Sequence, residues 1–349
     1  MTEGRNGVDQ YTGIRKAIAA GEPLTYEQMI LVADFVWTTY AGNKQVSSVD
    51  QDADYVYVAL SRVPAKVYKI PKATMLMPGT GPTADIWVGA AGENSCYAII
   101  EDGDYIYAGL AVSPAKVIKI AKSTMTTVDT WTGAGGENLC TCLTQDTDYV
   151  YAGLNLTPAL VLKITKATMA TSATWTGAGG QNTCYALTED TDYVYAGLNI
   201  VPAQVVRITK ATMATLATWT GGGGVNSCRA LTEDTDYVYA GLNLTPSKVV
   251  KITKATMATA LTWTATHMDC RALCEDTDYV YAGLYVDPFR VAKIDKATMT
   301  TLAIFIGETG EENCAALTQD ADYVYAGMYS DPALVVKLDN RRRVPQFWQ

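Results

Sequence analysis

A single phrase, close to Asp-Tyr-Val-Tyr-Ala-Gly-Leu, recurs seven times along the chain, with its first tyrosines at Tyr55, Tyr105, Tyr149, Tyr193, Tyr237, Tyr279 and Tyr323. The steps between them are 50, 44, 44, 44, 42 and 44 residues. A period of this size means one supersecondary unit copied many times, each copy burying its apolar faces against its neighbours. No other feature limits the possible folds so strongly.

Residues 183–220 serve as the type copy. Cys184-Tyr-Ala-Leu-Thr188 is a short apolar run, Glu189-Asp-Thr-Asp192 is a turn cluster, and Tyr193-Val-Tyr-Ala-Gly-Leu198 is rich in β-formers. Asn199-Ile-Val-Pro202 breaks the run. Gln204-Val-Val-Arg-Ile208 reads as a third strand, and Thr209-Lys-Ala-Thr-Met213 links it to a fourth, Leu216-Ala-Thr-Trp-Thr220. Short β-rich runs at close spacing, bounded by turn residues, predict four antiparallel strands per unit with no room for a helix of ordinary length. In the second strand the tyrosines fall on one face, valine and alanine on the other. A sheet sandwiched between two neighbours needs both faces apolar.

Four strands per ~40–45 residues is the period of a propeller blade. On these repeats the chain resembles seven-bladed β-propellers over residues 34–339, without the Trp-Asp dipeptide of WD40 repeats or the paired glycines of kelch. The resemblance implies an all-β ring of four-stranded antiparallel blades. The last copy ends at Val335-Val-Lys-Leu338 without a fourth strand, while Phe35-Val-Trp-Thr-Thr39 precedes the first copy. In ordinary copies the fourth-strand tryptophan precedes the next cysteine by nine residues (Trp131 and Cys140, Trp175 and Cys184), and Trp37 precedes Val46 by the same nine. Residues 34–38 are therefore expected to complete blade 7 from the N-terminal end, which would hide two sheet edges.

Composition narrows the function classes. No run of 18 apolar residues exists, so no membrane-spanning helix is expected. The opening Met-Thr-Glu-Gly-Arg-Asn-Gly has no apolar core of a cleaved signal peptide, so a virion or otherwise a cytoplasmic location is expected. A net charge of −9 argues against a general nucleic-acid binder. Six cysteines (Cys96, Cys140, Cys184, Cys228, Cys270, Cys314) share one repeat position, with Val46 at the seventh. They read as small apolar side chains near the axis; sheets ~10 Å apart are too distant for disulfides, which need Cα atoms within ~7 Å.

Strand direction sorts the loops onto two faces. Turns after strands 1 and 3 form a hairpin face, carrying an Asp-x-Asp in every blade (Asp52 and Asp54 through Asp320 and Asp322) and lysines at 72, 122, 166, 210, 254 and 296. The aspartates read as turn chemistry, since a calcium loop needs six to eight oxygens; no metal and no cofactor is expected. The lysines are expected to offset some of the acidity, each pair contributing little. Turns after strands 2 and 4 form a crossover face of small polar loops. There copies 6 and 7 depart from the pattern, gathering His267, Arg271, Tyr285, Asp287, Phe289, Arg290, Tyr329 and Asp331. Aromatics beside arginine are common anchors of binding patches, so these eight are the candidate ligand site, with a glycan or a cell-surface receptor as the expected partner.

The ends lie outside the repeat. In residues 1–33, Tyr11, Ile14 and Ile18 recur at helical spacing before Gly21 and Pro23, and Thr25-Tyr-Glu-Gln28 resembles a capping box; a short helical extension is expected. The tail 340–349 carries Arg341, Arg342, Arg343, Phe347 and Trp348. These two ends are the expected contact with other protein subunits. With one histidine, no nucleophile elbow and no phosphate loop, an enzyme is not expected. The sequence points instead to a non-catalytic component or decoration of a larger particle, such as a virus or phage virion or tail. The alternative is a stand-alone adaptor or lectin-like propeller.

Overall fold

The computed structural model describes residues 33–38, 45–75, 85–265, 269–308 and 310–340. The helical extension expected over residues 1–33 lies, except for Ala33, outside the described residues, as do the insertion Leu76–Pro82 and the tail 341–349. Seven four-stranded antiparallel sheets follow one another in the order strand 1 to strand 4. In the type copy these are β14 (Cys184–Glu189), β15 (Tyr193–Leu198), β16 (Gln204–Thr209) and β17 (Ala214–Thr220). Innermost strands of successive blades contact one another around the whole circle, and the last contacts the first. The chain is a seven-bladed β-propeller.

Closure follows the sequence expectation. β1 (Ala33–Thr38) pairs antiparallel with β28 (Leu334–Asp339), with Val36 opposite Val336 and Trp37 opposite Val335. Blade 7 is therefore built from both ends of the propeller sequence. Because Ala33 lies opposite Leu338, the chain enters and leaves blade 7 side by side on the hairpin face.

The blades pack through second strands that are almost wholly buried. Tyr57, Tyr107, Tyr151, Tyr195, Tyr239, Tyr281 and Tyr325 have no exposed surface. The repeat cysteine of each blade packs onto the second strand of the blade before it. The glycine of Tyr-Ala-Gly-Leu makes room, since a Cβ at Gly197 would lie 2.7 Å from Cys228 Sγ and one at Gly109 2.6 Å from Cys140 Sγ. Blade 1 carries Ala59 at that position. The repeat cysteines are free and buried. The spacing argument against close thiols fails at one place: Cys142 and Cys184 sulfurs approach to 3.7 Å, because inner strands converge toward the axis more closely than stacked sheets do. At the rim, tryptophan indole N–H groups of blades 1–5 donate to a threonine hydroxyl of the following blade at 2.8–2.9 Å.

The Asp-x-Asp turns do more than turn. Asp52 Oδ1 accepts the backbone N–H groups of Asp54 and Tyr55 at 3.0 and 2.8 Å, as turn chemistry predicts. Its Oδ2 accepts the Tyr57 hydroxyl at 2.7 Å and meets the Lys122 ammonium of the next blade at 2.8 Å. The same reach recurs as Lys166–Asp102, Lys210–Asp146, Lys254–Asp190 and Lys296–Asp234 at 3.1–3.4 Å. Lys72–Asp320 at 2.8 Å carries it across the seam between blades 7 and 1. At the seventh joint Asn340 replaces lysine and donates to Asp276 at 3.1 Å. A second cation, on strand 3, lies 3.9–4.9 Å from the ring centroid of the first repeat tyrosine in all seven blades. In six of them it donates to the backbone carbonyl of the next blade's turn lysine, or in blade 6 to the Asn340 side chain. Arg207 makes the corresponding bond to Lys254.

These lysines were expected to be weak surface partners. Their side chains are instead only 9–12% exposed, each held between two blades, so solvent screens them poorly. Burial alone would raise Asp52, but Lys122, the Tyr57 hydroxyl and two backbone N–H groups outweigh it and hold the carboxyl at about 2. Asp146, Asp190, Asp234, Asp276 and Asp320 are lowered by the same kinds of contact working against burial.

Replacing Lys254 with Met is expected to cost about 2 kcal/mol, somewhat below the value for fully buried pairs because Asp190 keeps some exposure. Adding Asp190→Asn should cost less than the two single changes summed, as urea unfolding of the double-mutant cycle will show. A chain lacking residues 1–38 exposes the β28 edge, and should show a lower thermal midpoint with aggregation by light scattering.

Candidate functional site

The axial channel opens on two unlike mouths. On the hairpin face the opening is a broad bowl lined by the Asp-Thr-Asp turns, by Glu189, Glu233 and Glu275, and by the turn lysines. Its polar groups are largely committed to one another: Lys210, Lys254 and Lys296 each bridge a glutamate of their own blade and an aspartate of the preceding one. Among the described residues no group of three or more His, Cys, Asp or Glu is arranged to hold a metal ion.

The crossover mouth is built differently. In every blade the register of strand 1 against strand 2 shifts just after the repeat cysteine, as between Cys140 and Cys142. The bulged residues are Ser47, Tyr97, Thr141, Tyr185, Arg229, Arg271 and Ala315. A bulge releases one residue from the ladder and re-aims its side chain. All seven line a cavity of about 240 Å3 at the channel mouth, joined by Tyr329. This is also the most varied position of strand 1, with five residue types in seven copies, while the cysteine before it varies once.

Two arginine–tyrosine stacks stand on this ring in adjacent blades. The Arg229 guanidinium lies 4.2 Å from the Tyr185 ring centroid. Tyr185 accepts a hydrogen bond from the Asn199 amide at 3.1 Å, and Asn199 is held in turn by the Ser227 hydroxyl. The Arg271 guanidinium lies 3.6 Å from the Tyr285 ring, and Tyr285 packs on Tyr329 at 6.0 Å between centroids. Asp269, buried behind the ring, accepts from Arg271 Nε at 2.7 Å. Ser47 and Thr141 use their hydroxyls to bond backbone carbonyls of the following blade, so the small members of the ring join blades while the large ones face the opening.

Of the residues expected at this site, Arg271, Tyr285 and Tyr329 come together. Asp287 and Asp331 are exposed on strand 2–3 turns, and Arg290 begins β24 (Arg290–Asp295); none of the three lines the mouth. Phe289 is a correction. It is fully buried and packs on Phe305 at 5.2 Å between centroids, the two phenylalanines replacing the alanine (serine in blade 5) and tryptophan of other blades. His267 lies outside the described residues, as do Tyr11, Ile14, Ile18, Arg341, Arg342, Arg343, Phe347 and Trp348. Sequence reasoning missed Tyr97, Tyr185 and Arg229. Their signal was present in the variation directly after an otherwise constant cysteine.

One further titrating group lies on the innermost strand. Asp50 stands where most blades have threonine, its oxygens accepting the N–H of Gln51 at 2.9 Å and of Glu101 at 2.8 Å. Burial pushes its carboxyl up to about 7, with the Glu101 charge adding to the rise and the two N–H bonds and Lys122 opposing it.

No family model matches the chain, and no curated protein matches it. Among solved structures it is similar to the computationally designed protein Ika8, with a TM-score of 0.63 over 86% of this chain and 98% of that one, at 15% identity. The likeness is one of fold alone.

Because Asp50 keeps its proton to a higher pH in the folded state than in the unfolded chain, its ionisation removes stability as pH rises from about 4 to about 7. The thermal midpoint of Asp50→Asn, measured relative to the parent, should therefore be higher at pH 8 than at pH 4.

Proposed function

We propose that the protein is a non-catalytic recognition propeller that takes its ligand at the crossover mouth. A propeller fold is consistent with a binding or structural role. The observation that carries the reading is the bulge ring: seven equivalent backbone positions aim side chains at one opening, and variation within strand 1 is greatest there. A position free to differ between otherwise near-identical copies suits recognition rather than packing. The hairpin face suits catalysis poorly, because its carboxylates are spent on neighbouring lysines and tyrosines.

The chain ends support a finer proposal. Ala33 and Asn340 stand at the hairpin-face end of blade 7, opposite the mouth. Anchoring through residues 1–33 and 341–349 would leave the mouth displayed outward, as a component of a larger particle such as a virion or tail requires.

Glycan and peptide arrays probed with the whole chain and with a Tyr97→Ser, Arg229→Ser variant test the first reading. Hits should disappear in the variant while its thermal midpoint stays close to the parent's; hits that survive place recognition elsewhere and overturn it. For the anchor, light scattering of a chain lacking 1–32 and 341–349 should give a smaller assembly than the whole chain. An unchanged mass overturns that role for the ends.

A further inference from the structure

We infer that the crossover mouth receives one carboxylate-bearing sugar residue, of the uronic or sialic acid class, at the end of a glycan. The inference rests on reading the mouth as a ligand site and specifies its chemistry. First, charge: in a chain of net charge −9, the mouth lining holds two arginines and no carboxylate. Asp269 touches Arg271 from behind through Nε, leaving the outer guanidinium nitrogens for a ligand. Arg229 Nε has no hydrogen-bond partner among the described residues. Guanidinium edges match carboxylate geometry, and a guanidinium stacked on an aromatic ring is already oriented, so less freedom is lost on binding.

Second, the walls: Tyr97 is 42% exposed and Tyr329 36% exposed, and both line the same opening as the arginines. Flat aromatic faces with hydroxyl tips suit the C–H face and hydroxyl rim of a sugar ring. Third, size: about 240 Å3 is below the roughly 300–1,000 Å3 of ordinary small-molecule sites. One ring fits, with the remainder of a chain extending outward. Fourth, preorganisation: the Ser227–Asn199–Tyr185 and Asp269–Arg271–Tyr285 contacts fix both stacks before a ligand arrives.

The test titrates the whole chain, by ligand-observed NMR, with D-glucuronic acid, N-acetylneuraminic acid, D-glucose, acetate and a short acidic peptide with a free C-terminus. At least one acidic sugar should bind 10-fold or more tighter than glucose, acetate or the peptide. Arg229→Ser should weaken it at least 10-fold, as expected for a lost charged hydrogen bond. Blade 1 carries Ser47 at this ring position, so the substitution suits the backbone there; Arg271→Lys, which keeps a cation beside Asp269, is the second variant. Equal affinity for glucose overturns the role of charge, and equal affinity for acetate or the peptide overturns the sugar class. Binding that Arg229→Ser and Arg271→Lys both leave unchanged overturns the site. If no acidic sugar binds while mouth-dependent array hits persist, the ligand class is wrong and the recognition reading survives. If those hits are absent as well, both fall.

Discussion

The joint between neighbouring blades, an aspartate shared by a tyrosine hydroxyl of its own blade and a lysine of the next, holds the ring in register. Each part alone is ordinary. The tyrosine is buried by sheet packing, the aspartate caps a turn, and the lysine reaches across a gap that its aliphatic stem fills. Together they satisfy a charge pair at the rim of the core, where solvent is largely excluded. Each joint is doubled, because the backbone carbonyl of the same lysine is held by the strand-3 cation of the preceding blade. Tm and cooperativity of the ring should follow these joints more than the outer strands, which are the least buried in blades 2–6.

The joints also explain how one architecture divides its two faces. On the hairpin face the charges are consumed in holding blades together. Among the described residues the crossover face carries no lysine–aspartate joint repeated around the ring, and its loops turn instead on glycines such as Gly136 and Gly180 at φ 95° and 89°. Variation is tolerated there because no charge pair repeated from blade to blade depends on it. The bulge after the repeat cysteine converts that tolerance into an inward-facing ring without disturbing Cys140 or Leu143 on either side, which stay buried.

Much of the fold was legible because period, strand length and turn chemistry are local properties. The nine-residue spacing from Trp37 to Val46 gave the closing strand, and the structure pairs it as expected. The lysine joints were not legible, because Lys254 and Asp190 lie 64 positions apart and nothing local distinguishes a bridging lysine from a solvated one. The site was half legible. Arg271, Tyr285 and Tyr329 stood out as breaks in the repeat, but Phe289 did too, and its break is a core exchange with Phe305. Tyr185 and Arg229 were hidden because a bulge cannot be read from alternation alone; an unbroken strand would have put them on a packed face.

Asn340 stands where the other blades have a bridging lysine, and it makes the last joint unlike the six others. Blade 7 alone has no fourth strand of its own, so only its β28 edge is open to the N-terminal strand β1. The missing strand and the exchanged joint together form a punctuation mark on the last unit. Shuffling or duplicating interior units would leave that mark in place, which offers a lineage of such proteins a route to change the composition of the inward ring one unit at a time.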